Sequence, residues 1–274
     1  MTSAEHAARP DAWAEPGPVV RFVFDTYTVL RAEFIKIRHD PFEMASRAAQ
    51  PLLWLLVFGQ VMAQTHAIPT GGLPYIDYLA PGVLAQSAQF SAIFFGLAVI
   101  WERDLGLVHK LLVSPASRSS LVLGKALAGG GRALVQGLIV YIASFLIGVD
   151  LRLDVLSILA VAFVVVLGSS LFATFSMVIA SLVRTRERFM GIGQLLTMPL
   201  FFASSAIYPI SMMPPWLQVV SLLNPLTYMV DALRTLMIVG ATSTHGVPLD
   251  IAVLSVVTVV LVAMGARLMP RLAQ

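Results

Sequence analysis

From position 156 to position 183 the chain runs for 28 residues without one charged side chain. At about 1.5 Å of rise per residue a helix of that length reaches roughly 42 Å, more than the roughly 30 Å hydrocarbon core of a bilayer. It is long enough to span, with a tilt or a projecting end. It is also not alone. Five further apolar stretches approach the length of a span, near 47–64, 79–101, 127–149, 190–207 and 251–268. The first is the weakest, because Gln60 and Gln64 interrupt it and Pro51 falls in its first turns. Composition agrees: 58% of residues are hydrophobic and 12% charged, against about 45–50% and roughly a quarter in soluble domains. This excludes an ordinary cytosolic enzyme, a disordered chain and a nucleic-acid-binding module. The expected fold is an all-α polytopic membrane protein with six transmembrane helices. The absence of Cys excludes a disulfide scaffold, a thiolate metal site and a Cys nucleophile.

The basic residues set the expected orientation. Six lie in residues 1–49, four in the loop after the second span (Arg103, Lys110, Arg118, Lys125), three after the fourth (Arg184, Arg186, Arg188) and two after the sixth (Arg267, Arg271). These fifteen share one side. Only Arg152 and Arg234 fall in the opposite loops, and Arg132 lies within the third span. Basic residues collect on the cytoplasmic side, so both termini are expected there.

Three segments outside the spans carry information. Residues 1–20 are polar and Pro-rich and read as a flexible cytoplasmic tail. In 21–38, Val23, Tyr27, Leu30, Phe34 and Ile37 recur at helical spacing. That stripe suits an amphipathic helix in the cytoplasmic headgroup layer; the other reading is a helix packed on protein. In the loop after span two, Leu107, Leu111 and Leu112 predict a short amphipathic helix, closed by Pro115 and followed by a helix that Ser117 or Ser119 caps. Such a helix rests on lipid or inserts into a partner's groove. Between spans five and six, Pro209, Pro214, Pro215 and Pro225 break an apolar stretch into pieces too short to cross. The expectation is a re-entrant outer helical hairpin, with Trp216 and Tyr228 near the interface.

Missing motifs narrow the function. Gly124-Lys125 resembles the end of a phosphate-binding loop, but position 119 is Ser and residue 126 is Ala, so the pattern fails twice. No metal-binding motif, paired intramembrane carboxylates or His cluster is evident, so neither a metal nor a catalytic residue is expected. Arg132 is the only charged residue inside an expected span away from its ends; it snorkels to the cytoplasmic surface or serves the transport path. The adjacent Gly129, Gly130 and Gly131 permit close helix packing or make a weak point.

Two motifs now carry a resemblance. The first is Glu102-Arg103, Gly106, Leu111-Leu112, Pro115, Arg118 and Gly124-Lys125. The second is Pro209, Met213-Pro214, Trp216-Leu217, Asn224-Pro225, Tyr228 and Arg234. Each is at its proper topological position, and together they resemble the membrane subunit of an ABC-2 type exporter, in the branch with daunorubicin-resistance permeases and Nod-factor exporters. One departure is Leu107-Val108-His109-Lys110, where relatives often carry Thr-Leu-Glu. The resemblance covers roughly 20–270 and implies a transmembrane domain over 45–270. It implies that 102–116 is a coupling helix seated in a separate ATPase, contacted by Glu102, Arg103, Gly106, Leu107, Leu111, Leu112, Pro115 and Arg118. It further implies that 21–38 touches that ATPase, that two permease and two ATPase subunits assemble, and that the outer hairpin covers the exit. The permeases would be identical or different; ATP and Mg would be bound by the partner, with no cofactor in this chain. The substrate class is a drug, lipid or glycan, in a bacterial cell membrane. The alternatives are a secondary carrier or channel without an ATPase, and a membrane scaffold.

Overall fold

The computed structural model describes residues 17–37, 49–108, 113, 116–183 and 185–270. Within these the chain is helical, and the one β-type pairing is an isolated antiparallel bridge between Leu151 and Ile238. Helix α1 is Pro18–Ile37. The chain is helical again over 49–65 (α2), where a π turn at Trp54–Phe58 leads into Gly59–Thr65. There follow α3 Tyr75–Asp104, α4 Arg118–Leu146, α5 Val155–Leu182 and α6 Arg186–Phe202. The short helices α7 Pro215–Leu223 and α8 Pro225–Met237 precede α9 Val247–Leu268.

Helices α3, α4 and α5 pack on one another to form the centre. Helix α1 lies along α4, α9 packs against α5, α4 and α8, and α6 borders α3. Four helices, α3, α4, α5 and α9, are long and apolar enough to cross a membrane. The other two expected spans are helical but short: α6 has 17 residues, at the lower end of the roughly 17–25 that crossing requires.

The boundaries depart from expectation where polar residues are buried. Helix α4 begins at Arg118, nine residues before the expected 127, with the Ser117 hydroxyl accepting from the Ser120 amide at 3.1 Å. Its polar first turns are helical because α1 covers them. A Cβ at Gly124 would lie 2.8 Å from the Thr26 carbonyl oxygen, and one at Gly131 would lie 2.3 Å from the Phe34 ring. The neighbouring Gly129 and Gly130 face α5 at Ala173 and Val166, so the glycine run serves close packing. The fifth expected span, 190–207, leaves the helix at Ala203. Residues 203–207 are nevertheless buried, and their backbone is met by side chains from other elements, as irregular backbone away from water requires.

Helix α1 uses two faces. Thr26 and Glu33 are buried against the bundle, with Val29 partly so. The expected stripe divides: Val23 is 60% exposed and Tyr27 59%, whereas the Phe34 ring reaches Gly131 of α4. The helix therefore packs on protein along one seam, while an apolar strip stays uncovered.

Candidate functional site

The ends of α3, α4, α5 and α6 that carry the basic residues meet at the base of the 102–125 loop. Lys125 ties three helices together. Its Nζ donates to Glu33 Oε1 of α1 at 3.2 Å and to Glu102 Oε2 of α3. Arg132 Nη2 lies 3.7 Å from Glu33 Oε2, with its guanidinium 5.2 Å from the Phe95 ring centroid. Two carboxylates and two cations balance. The Lys125 and Glu33 side chains are almost fully buried, where an uncompensated charge would be prohibitive. Arg132 is thus fixed against α1 and α3.

The next residues fasten the α5–α6 turn. Arg103 Nη1 donates to the Val183 carbonyl at 3.0 Å, the residue that ends α5. Asp104 accepts from Arg186 at 2.7 Å, and that guanidinium stacks 3.8 Å from the Trp101 ring centroid. Gly106 then ends α3 with φ +72°, a left-handed conformation, its amide donating to the Arg103 carbonyl at 2.9 Å. Nothing crowds a Cβ there, so the glycine is required for its backbone and not for space.

Beyond that turn Leu107 is 38% exposed, whereas Val108 is buried in the core. Leu107, Val108 and Val113 are helical, and Val113 and Arg118 are exposed. Leu111, Leu112 and Pro115 lie outside the described residues. The motif residues therefore divide: Glu102, Arg103 and Lys125 close the loop's base, while Leu105, Leu107 and Val113 present apolar surface.

At the far end the proline-broken segment folds back on the bundle. Pro209 precedes a 3-10 turn, Ile210–Met212, and Pro214 precedes α7, which has Pro215 in its first turn. Trp216 is exposed. Asn224 separates α7 from α8: its Oδ1 accepts from the Leu226 amide at 3.0 Å, while its Nδ2 donates to the Leu200 carbonyl at 2.6 Å. One side chain thus starts α8 and satisfies a carbonyl at the end of α6, a group without an intrahelical partner. Tyr228 Oη donates back to Leu222 of α7 at 2.8 Å. Arg234 is buried; its Nη2 donates to the Ser205 carbonyl at 2.7 Å and to the Tyr78 carbonyl at 3.3 Å, and it stacks 3.7 Å from the Tyr78 ring centroid. Tyr78 and Tyr75 in turn donate to the carbonyls of Ser205 and Ile207. These bonds hold the irregular 203–207 stretch against α3, where Gly82 admits the Ala206 backbone; a Cβ there would lie 2.5 Å from its oxygen.

The sequence reading missed several buried polar groups. Glu33, and the pairing of the motif residues Glu102 and Lys125, escaped because pairs 92 and 23 positions apart have no local signal; opposite charges flanking one loop were the available hint. Asp231, His245 and Asp250 come together although no His cluster was expected. Gln86, Gln89 and Gln136 bring side-chain atoms without hydrogen-bond partners, among the described residues, into the α3–α4 interior.

The sequence model of the ABC-2 type transporter family matches residues 25–238. This chain belongs to that family. The match opens inside α1 and closes at Ile238, so it takes in both the Lys125 joint and the broken hairpin. A protein named transport permease ycf38, from Cyanophora paradoxa, is 30% identical over 217 residues, 78% of this chain and 74% of that one. Nodulation protein J of Sinorhizobium fredii is 27% identical over 169 residues, 61% and 63% of the two chains. The inner membrane transport permease YadH of Escherichia coli K12 is 25% identical over 188 residues, 66% and 70%. The chain is accordingly an ABC-2 permease, a multi-pass membrane protein.

Proposed function

We propose that this permease is the membrane-spanning subunit of an ATP-driven exporter, without a catalytic site of its own, and that 102–116 couples it to a separate ATPase. The observation that carries this reading is the division within the loop. Its base is locked by Glu102–Lys125 and by Arg103 on Val183, so force on the loop is delivered to α1, α3 and α5 together. Its outward residues, Leu105, Leu107 and Val113, are apolar and uncovered. A few apolar anchors in a groove are how such a contact gains its energy. The phosphate-binding pattern fails at Ser119 and Ala126, so ATP and Mg belong to the partner.

In this reading α2 and α6 complete six spans, 17–37 lays its apolar strip in the cytoplasmic headgroups, and both termini are cytoplasmic. The 209–234 hairpin is re-entrant and covers the exit. Two permeases and two ATPases assemble in a bacterial cell membrane, and the cargo is hydrophobic or amphipathic: a drug, lipid or glycan.

The test is co-purification with a candidate ABC ATPase co-expressed with the permease. Leu107→Asp and Leu111→Asp are expected to weaken ATPase retention by about one to two decades and to abolish transport-stimulated hydrolysis, with membrane insertion unchanged. Equal ATPase recovery and equal stimulation from wild type and variants would defeat the coupling role. Transport by the permease alone would make it a secondary carrier or channel.

A further inference from the structure

At the far end the loop after α8 closes around one carboxylate. Asp231 accepts from the Ser243 hydroxyl at 2.8 Å, from the Thr244 amide at 2.9 and 3.0 Å, and from the His245 amide at 3.0 Å. Gly246, at φ +96°, then turns the chain into α9, with its amide on the Ser243 hydroxyl at 2.6 Å. One turn later Asp250 enters the same place. It is 0% exposed, and neither of its oxygens has a hydrogen-bond partner among the described residues. His245 Nδ1 is buried without a hydrogen-bond partner too, 3.4 Å from Asp231 Oδ2.

We propose that Asp231, His245 and Asp250 form a divalent-cation site of the zinc class. One ligand atom from each can lie within 4.8 Å of the other two. Ligands at about 2.0–2.2 Å from a tetrahedral zinc are roughly 3.3–3.5 Å apart. The donor set is one imidazole and two carboxylates, suited to zinc and, less well, to manganese. Two carboxylates and a neutral imidazole balance a dication, so the ion removes the charge that burial of Asp250 would otherwise leave uncompensated. Asp231 Oδ1 receives only the Thr244 amide, which leaves a lone pair for the metal. The donors from Ser243, Thr244 and His245 orient the carboxylate, the outer-shell support that metal ligands generally have. The His245 side chain is 17% exposed, giving a path in and leaving the fourth position to water. The ion would join α8, the 238–246 loop and α9. Asp231 lies within the family-matched stretch, while His245 and Asp250 lie beyond it.

The test uses the full chain in lipid nanodiscs, purified on a His-free tag, stripped with chelator and equilibrated with about 1 µM free zinc, enough to saturate a site of about 10 kcal/mol or more. Metal analysis is expected to give one zinc per chain. Asp250→Asn and His245→Gln are each expected to lower affinity at least tenfold. Asp250→Asn removes a buried charge at constant shape and should fold. As a variant-free measure, cobalt in the wild type is expected to give the intense visible absorption of a tetrahedral ion, bleached by zinc. Wild type without stoichiometric zinc or that absorption, or Asp250→Asn binding as tightly as wild type, would overturn the site and leave Asp250 to be neutralised by a shared proton.

Discussion

The two ends of this permease solve the burial of polar groups in opposite ways. At the basic end charged side chains serve each other: Lys125 and Arg132 meet Glu33 and Glu102, and helices are gathered around the balanced cluster. At the far end polar side chains serve the backbone: Asn224, Arg234, Tyr75 and Tyr78 satisfy carbonyls where helices stop. A cluster of the first kind lets three regular helices converge. An arrangement of the second kind lets chain run irregularly inside the molecule. The first is a joint between elements, the second a substitute for secondary structure.

The largest expected effect tests the joint. Lys125→Met removes the ammonium that two buried carboxylates share and should cost about 3–5 kcal/mol, as breaking a buried pair does. Measured by unfolding in mixed micelles, the double change Lys125→Met, Glu102→Gln, which keeps Glu33 opposite Arg132, should recover most of it. A single variant within about 1 kcal/mol of wild type would mean that the cluster contributes no such coupling.

Arg234→Met comes next. It takes the guanidinium donor from the Ser205 and Tyr78 carbonyls, of which Ser205 keeps the Tyr78 hydroxyl, at about 1–3 kcal/mol in all, and hydrogen exchange should rise selectively over 203–207. Exchange rising instead throughout the bundle would erase the distinction between the two ends. The smallest effect is expected at Asn224→Ala, about 1–2 kcal/mol for a lost cap, with proteolysis newly admitted between α7 and α8. An unchanged melting point and cleavage pattern would remove Asn224 from the account.

This comparison also explains what could be read in advance. Helix α5 was legible almost to the residue, 156–183 against Val155–Leu182, because continuous apolarity needs no partner to be recognised. The break at Asn224-Pro225 was legible because a cap and a proline act locally. The start of α4 at its Ser117 cap was legible too, but not that its polar turns continue into the third span, since Arg118–Lys125 looks solvated until Glu33, 92 positions before Lys125, is brought alongside. The end of α6 was hidden for the same reason: its continuation is held by Arg234, 29 positions beyond Ser205. The Asp231–His245–Asp250 group was missed because it is assembled by a loop closing on a helix.

The shared ammonium also sets how motion can pass through this end. Glu33 and Glu102 belong to different helices but draw on the three donors of one nitrogen. A shift that pulls Lys125 from one carboxylate breaks a charge-assisted contact held away from water, so α1 and the tip of α3 are penalised for sliding independently. They are geared rather than merely adjacent: a push on the loop turns α1 with it, and a force on α1 is felt at the loop.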